Sequence, residues 1–313
     1  MKTLLTRREL LKLSAAGVGG YFLGALTGRN ASGSISDSRP TEEGGVTLVG
    51  AGDIANGSPG AMKTAALIDA TPGAVMALGD LAYESGTKDE IEDYYEPTWG
   101  RFKDRTLPVV GNHDYGQGGY EDRDKSLYDP SPYFDYWGKV AGQRGDGWYS
   151  YDIGAWHLVV LNSMYPLLVG DSRQEDWLSS DLAVNKGRNI VALWHHPAFS
   201  SGYHGPDDRM KWAWEALYEY DASIIVNGHD HDYERFGRMT PGGDLDSQSG
   251  IRQFVVGTGG KNLRSSATPL SQSEAQYTDD FGVLKLILKP KSYAWEFVSV
   301  DGAVVLDEGT EET

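Results

Sequence analysis

A layered α/β domain is the fold class that this 313-residue sequence predicts, and three observations predict it. From Val46 onward, short apolar runs of strand length alternate with helical stretches, which argues for α/β layers rather than an all-β or all-α domain. Several of those runs end in a glycine or a polar residue that could face a ligand, and in open α/β sheets the carboxyl ends of strands are where sites assemble. Apolar residues make up 40% of the chain, enough for a proper core at this length.

Taken in order, the first strand is expected over 46–51, followed by a helix at about 60–70; a second strand over 74–78 leads to a helix at about 87–98. A third strand covers 107–110. Residues 115–147, with Gly, Pro, Asp and many aromatics, read as a long insertion, and the cluster Tyr133-Phe134-Asp135-Tyr136-Trp137 as packing within it. Strands over 148–153 and 156–161 precede a helix at about 174–185, a strand over 190–194, a helix at about 207–220 and a strand over 223–226. Beyond His231 the pattern changes to strands and turns. Strands are expected over 253–256, 283–288, 293–300 and 303–306, punctuated by Gly257-Thr258-Gly259-Gly260 and Asp301-Gly302.

The chain has no cysteine, which excludes disulfides, thiolate metal sites and a thiol nucleophile; any metal must be held by nitrogen and oxygen donors. The formal charge is −17. Lys2, Arg7, Arg8, Lys12 and Arg29 against Glu9 give residues 1–30 about +4 and leave about −21 on the rest, so a nucleic-acid polymer would meet long-range repulsion.

Residues 1–28 begin MKTLLTRRELLKLSAAG: a basic stretch with paired Arg7-Arg8, then a Gly/Ala-softened apolar run to about Leu26. This resembles a twin-arginine export signal, and the run is shorter than the ~20 residues of a comfortable membrane span. The expectation is export through the twin-arginine machinery to the periplasm, cell surface or medium, with membrane attachment only if the signal stays uncleaved. Residues 29–44, rich in Gly, Ser, Asp and Glu, read as a flexible spacer, and 45–313 as the catalytic domain.

Five strand ends deliver a polar donor each. The sequences are Gly52-Asp53, Gly79-Asp80-Leu81-Ala82-Tyr83, Gly111-Asn112-His113-Asp114, His195-His196-Pro197 and Gly228-His229-Asp230-His231. Any one alone is ordinary: a Gly-Asp after a strand is most often a turn whose side chain caps its own backbone. Together they supply seven donors, Asp53, Asp80, Tyr83, Asn112, His195, His229 and His231. One six-coordinate ion that keeps a position open cannot use seven. Two ions can, if a carboxylate bridges them, and a pair about 3.5–4 Å apart clamps both oxygens of an in-line displacement at phosphorus. His229 and His231 are then expected on different ions, facing the same way on an extended backbone. By contrast His157, inside a strand pattern, reads as a packed or hydrogen-bonded structural histidine, and His196, ahead of a proline, is expected to point away from the metals.

The ordered set GD (52–53), GDLAY (79–83), GNHD (111–114), VALWH (191–195) and GHDH (228–231) resembles the purple acid phosphatases of the binuclear, calcineurin-like metallophosphoesterase superfamily, over roughly residues 46–305. Other superfamily members carry Asp-x-His at the first strand end, where this chain has Ala55; the purple acid phosphatases have instead a tyrosine three residues after the bridging aspartate, the place of Tyr83. The resemblance implies a four-layer α/β/β/α sandwich of two mixed β-sheets. It implies that Asp53, Tyr83 and His231 bind Fe(III), that Asn112, His195 and His229 bind a divalent Fe, Zn or Mn, and that Asp80 bridges them. It also implies that His113, oriented by Asp114, contacts phosphate, and that the histidine nine residues beyond the fourth-motif ligand, His204, serves the reaction.

The expected function is hydrolysis of phosphate monoesters on a small phosphorylated substrate, by in-line attack of a metal-bound hydroxide with His204 or His113 protonating the leaving alkoxide. Two alternatives remain: a phosphodiesterase or nucleotidase on the same fold, and an exported metal- or phosphate-binding protein without turnover.

Overall fold

A computed structural model describes residues 45–116, 124–266 and 268–313; the Arg7-Arg8 segment and the 29–44 spacer lie outside the described residues. Among the described residues, thirteen strands form two mixed sheets. The first has the order β13-β12-β11-β1-β2-β3 and the second β10-β8-β9-β7-β6-β5-β4. In the first, β1 (Val46–Ala51), β2 (Ala74–Leu78) and β3 (Thr106–Val109) are parallel, and the antiparallel run β11 (Gly282–Lys289), β12 (Ser292–Ser299) and β13 (Val305–Glu312) extends it from the far side of β1. In the second, β5 (Trp156–Val160), β6 (Asn189–Leu193), β7 (Ile224–Asn227) and β9 (Ile251–Val256) are parallel. Three antiparallel strands flank them: β4 (Tyr149–Ile153) on one edge, β8 (Tyr233–Met239) and β10 (Ser273–Tyr277) on the other.

The layering follows from side-chain alternation along the parallel strands. Leu158, Val160, Val191, Leu193, Ile224 and Val226 join the large cluster that also holds Leu48, Leu284, Tyr293, Trp295 and Phe297 of the first sheet. Their neighbours Val159, Leu161, Ile190, Ala192, Trp194 and Ile225 face the other way, onto Leu178, Leu182, Trp214 and Leu217. The last four come from two helices on that outer face, Arg173–Val184 and Lys211–Glu219. Truncating Leu182 or Leu217 to alanine would cost about 2–5 kcal/mol. On the far side of the first sheet, the helix Gly60–Asp69 contributes Ala61, Ala65 and Ile68 to the large cluster. Rings meet between the sheets at Tyr233 and Phe297, stacked with centroids 4.0 Å apart, and at Phe254 and Trp295, 5.9 Å apart.

Three expectations for the elements change. The helix at 87–98 is a single capped turn, Lys88–Glu90, in which Thr87 and Glu90 form a capping box; it widens into a π-turn over Ile91–Tyr95 ahead of Pro97. The last strand is Val305–Glu312 rather than 303–306. It lies further along because Asp307 and Glu311 are drawn inward to Arg235 and Arg252, at 2.7 and 2.9 Å. Strands β8 and β10, for which no apolar run exists, form beside β9. Within the insertion, the short helix Ser131–Trp137 buries Tyr133, Phe134 and Trp137, as the aromatic cluster led one to expect.

Candidate metal centre and active site

Each candidate donor lies just beyond a strand's carboxyl end, and the two sheets contribute to one cluster. Asp53 follows β1, Asp80 and Tyr83 follow β2, Asn112 and His113 follow β3, His195 follows β6, and His229 and His231 follow β7. Asp53, Asp80, Tyr83, Asn112, His195 and His231 are all buried. The glycines ahead of the donors allow the close approach. A Cβ on Gly79 would lie 2.5 Å from His195 Nδ1, and one on Gly111 would lie 2.1 Å from Asp80 Oδ1. Asp53, Asp80 and His229 themselves adopt positive φ values of 59°, 52° and 73°, a conformation that non-glycine residues keep only where the surroundings fix it. The turn of His229 corrects the expectation of an extended backbone between the two histidines: residues 229–232 bend, and His229 joins His195 while His231 joins Asp53.

Two side-chain groupings result. Tyr83 Oη lies 2.8 Å from Asp53 Oδ1, 3.1 Å from Asp80 Oδ2 and 3.4 Å from His231 Nε2, and His231 Nε2 lies 3.3 Å from Asp53 Oδ1. On the other side of Asp80, His195 Nε2 is 3.2 Å from the same Oδ2, and the His195 and His229 rings meet edge to face with centroids 5.2 Å apart. Asp80 thus sits between the groups. Asn112 is buried directly before His113, whose backbone N–H donates to Asp80 Oδ1 at 2.9 Å.

The chemistry of this donor set fits cations. His195 Nδ1 is bonded to the Leu78 carbonyl at 2.7 Å and His231 Nδ1 to the Asn262 carbonyl at 2.8 Å. A carbonyl can only accept, so each Nδ1 carries a proton, and Nε2 is the ring nitrogen that each turns toward a carboxylate, where either a second proton or a metal ion supplies positive charge. The single phenol proton of Tyr83 cannot serve three acceptors. Lone pairs packed at 3.1–3.4 Å repel unless positive charge lies among them. The protein's own field says the same. Burial, then Asp53 and Asp80, push the Tyr83 phenol well above its ordinary range, while Asp80 outweighs burial and draws His195 up to about 10. Ligand-capable atoms of Asp53, Asp80 and His195 lie within 4.8 Å of one another, as do those of His195, His196 and His229.

That second group corrects the expectation for His196. Its ring does not point away but packs against His229 with centroids 4.2 Å apart, and its Nδ1 is 2.7 Å from Ser163 Oγ. Asp114 is also placed differently from expectation. Its carboxylate does not orient His113; it accepts the backbone N–H groups of Asp80 (2.9 Å), Leu81 (3.0 Å) and Gly111 (2.8 Å), tying the loop after β2 to the loop after β3. His113 is oriented by the Glu84 carbonyl, 2.6 Å from its Nδ1, and its ring lies against Tyr83 with centroids 4.3 Å apart and Nε2 4.0 Å from Asp80 Oδ2. His157 is the structural histidine expected, buried between Asp152 and Asp181.

His204 reaches the cluster from the exposed loop after β6, its ring 4.4 Å from that of His229. Sequence reasoning missed what holds it there. Asp230, between the two candidate ligands, accepts the His204 backbone N–H at 2.7 Å and the Ser200 hydroxyl, and Glu234 accepts the Ser201 N–H at 2.8 Å. The crowding of acidic residues around the histidines was the available signal. Two further residues were also missed, both on the loop after β9. Lys261 Nζ lies 4.2 Å from the Tyr83 ring centroid and pairs with Glu84, and Arg264 Nη1 donates to His204 Nε2 at 3.1 Å.

The model of the calcineurin-like phosphoesterase family matches residues 46–233. Purple acid phosphatase 15 of Arabidopsis thaliana is 30% identical over 224 residues, 62% of this chain and 41% of that protein. Purple acid phosphatase 1 of Ipomoea batatas is 27% identical over 235 residues, 66% and 47% of the two chains. The chain therefore spans less than half the length of these two relatives. Among solved structures, a purple acid phosphatase from yellow lupin seeds superposes with a TM-score of 0.69 at 19% identity, over 87% of this chain and 54% of that one. A dimetal phosphatase from Danio rerio gives 0.57 at 12% identity, over 85% and 98%. These two are likenesses of fold.

Proposed function

From the premise that the chain belongs to the calcineurin-like phosphoesterase family, we propose that it is an exported dimetal phosphatase of the purple acid type, acting on phosphate monoesters of small molecules. The observation that carries the reading is the position of Tyr83 Oη among Asp53 Oδ1, Asp80 Oδ2 and His231 Nε2, within 3.4 Å of all three. A phenol placed there suits a hard trivalent ion far better than zinc or magnesium. Asp53, Tyr83 and His231 would hold Fe(III), Asn112, His195 and His229 a divalent Fe, Zn or Mn, and Asp80 both. When bound, the pair supplies Lewis acidity to the phosphoryl oxygens and lowers the pKa of an attacking water.

The chain's own residues do the rest. Asp114 fixes the backbone of Asp80 and Gly111, so that the shared carboxylate does not shift as charge develops at phosphorus. His113, steered by the Glu84 carbonyl, packs on Tyr83, and His204, steered by Asp230 and Arg264, packs on His229; one would contact the phosphoryl oxygens while the other gives a proton to the departing alkoxide. Export rests on Arg7-Arg8 ahead of the apolar run. The partners expected are a small phosphorylated substrate and the twin-arginine export machinery. A nucleic-acid polymer is not expected, given the charge of −17, and the membrane is a partner only if the signal stays uncleaved.

The test is metal analysis of protein exported by its own signal, with rates on an aryl monoester and the matching aryl diester. Two metals per chain and a monoester preference support the reading. A diester preference would move it to the phosphodiesterases, and metal without turnover to a binding protein. Replacing Arg7 and Arg8 with Lys should leave precursor in the cytoplasm; unchanged export would remove the twin-arginine assignment.

A further inference from the structure

The loop that follows β9 carries a cation to the edge of the cluster, in a protein whose net charge is −17. The Arg264 backbone N–H donates to the His231 carbonyl at 3.1 Å, which fixes the residue's distance from the candidate ligands. Its guanidinium donates to His204 Nε2 at 3.1 Å and lies over the Tyr203 ring, 4.7 Å from the centroid. His204 in turn packs on His229. The guanidinium is therefore one imidazole's width beyond the cluster, held flat by an aromatic face.

Among the described residues its charge has no carboxylate to neutralise it. Arg188, Arg209, Arg235 and Arg252 are each met by a carboxylate at 2.6–2.9 Å. Lys261, the other cation of this loop, is taken up by Glu84. Among the described residues no carboxylate pairs with Arg264, whose bond to a neutral imidazole nitrogen uses one of five N–H groups. A planar, half-buried fork with donors to spare matches the geometry of a phosphoryl group. In an acidic protein it also provides local attraction for a polyanion that the net charge would repel.

We propose that Arg264 is a specificity-determining residue: it binds the second phosphoryl group of a bisphosphorylated substrate while the first lies at the cluster of Asp53, Asp80, His195 and His229. The inference rests on the phosphatase reading and deepens it, naming the substrate class. The second group is recognised and not cleaved in that pose. Hydrolysis of the first leaves orthophosphate and a monophosphate, which loses one of its two anchors and departs.

The metal-loaded, full-length protein and its Arg264→Met and Arg264→Lys variants are compared on fructose 1,6-bisphosphate and fructose 6-phosphate, and by calorimetry with pyrophosphate and orthophosphate. The quantity read is the ratio of kcat/KM for the bisphosphate to that for the monophosphate. In the wild type it should be tenfold or more, and Arg264→Met should lower it about tenfold, chiefly through KM, as expected for loss of a charge-assisted hydrogen bond. Arg264→Lys should restore part of it. Pyrophosphate should lose more affinity than orthophosphate in Arg264→Met. If both substrates and both anions lose proportionately, Arg264 only positions His204 and the proposal fails; it fails too if the wild type shows no preference while hydrolysing both. If the loaded protein hydrolyses neither substrate, the phosphatase reading fails, and the pyrophosphate-to-orthophosphate affinity ratio alone decides the role of Arg264.

Discussion

The carboxylate of Asp114 receives the backbone N–H of Asp80 at 2.9 Å, so the residue expected to steer a histidine instead fixes the backbone of the shared candidate ligand. Asp114→Asn would turn an amide donor toward one of three backbone donors. It should cost about 1–3 kcal/mol of stability and loosen both halves of the site. Denaturant unfolding together with metal content measures this. Metal at both positions should fall together; normal metal content with only a slowed rate would mean that Asp114 acts through His113 after all.

Tyr83→Phe removes one oxygen from the crowd around Asp53 and Asp80 and leaves the ring against His113. Phenolate bound to Fe(III) absorbs visible light by charge transfer, so the iron-replete wild type should be pink to purple and the variant bleached, with unchanged far-ultraviolet circular dichroism. A variant that keeps the band shows that Tyr83 is not a ligand, and manganese or zinc then become the likelier metals.

His204→Ala should leave metal content intact, because the ring touches His229 without belonging to either grouping. Esters of poorly leaving alcohols should slow by about 10²-fold or more, and activated aryl esters much less, since only the former need a proton in the transition state. The ratio of the two rates is the measurement. Equal losses would assign His204 to phosphate contact.

Away from the site, His157 is wedged between Asp152 at 2.8 Å and Asp181 at 2.6 Å, with Arg188 also on Asp152 at 2.7 Å. Burial alone would lower its pKa, but the bonds to Asp181 and Asp152 outweigh burial and hold it above the ordinary histidine value. A histidine more basic in the folded than in the unfolded chain stabilises fully below about pH 6.5, and the contribution is lost as pH rises through the raised value. His157→Gln should therefore lose most stability, relative to wild type, at about pH 5–6. The gap measured by urea unfolding should narrow toward pH 9; a gap independent of pH would show that packing alone is at stake.

Donor identity was legible in the sequence because each candidate ligand sits one to five residues past an apolar run, and strand ends converge. Geometry between donors was less legible. Nothing in GNHD separates an aspartate that orients its neighbouring histidine from one that binds three amides on two separate loops, and the proline after His196 gave no sign that the ring would turn inward onto His229. The strands that escaped notice failed for a different reason. In β8 and β10, Glu234, Arg235, Glu274 and Gln276 take places that apolar periodicity would reserve for Val or Ile, and they are tolerated because each has a partner: Glu234 holds Ser201, Arg235 and Arg252 share Glu274, and Gln276 bonds Asp232. Hydrophobic pattern cannot see strands in which Glu234 alone of these four is buried, Arg235 and Gln276 are half-buried and Glu274 is exposed.

The two sheets meet at the cluster by way of their loops: His195 Nδ1 rests on the Leu78 carbonyl and the His229 N–H on Asp53 Oδ2, each bond running from one sheet to the other. Ions seated between Asp53, Asp80 and the three histidines would act as rivets through both plates. Chelation would then be a mechanical event as well as a chemical one. It would leave the carboxylates of one plate and the imidazoles of the other without their bridging ions across the seam, so that resistance to heat tracks the free-metal concentration as RT ln(1 + [M]/Kd). The melting temperature of the silent protein becomes a gauge of metal occupancy that needs no substrate at all.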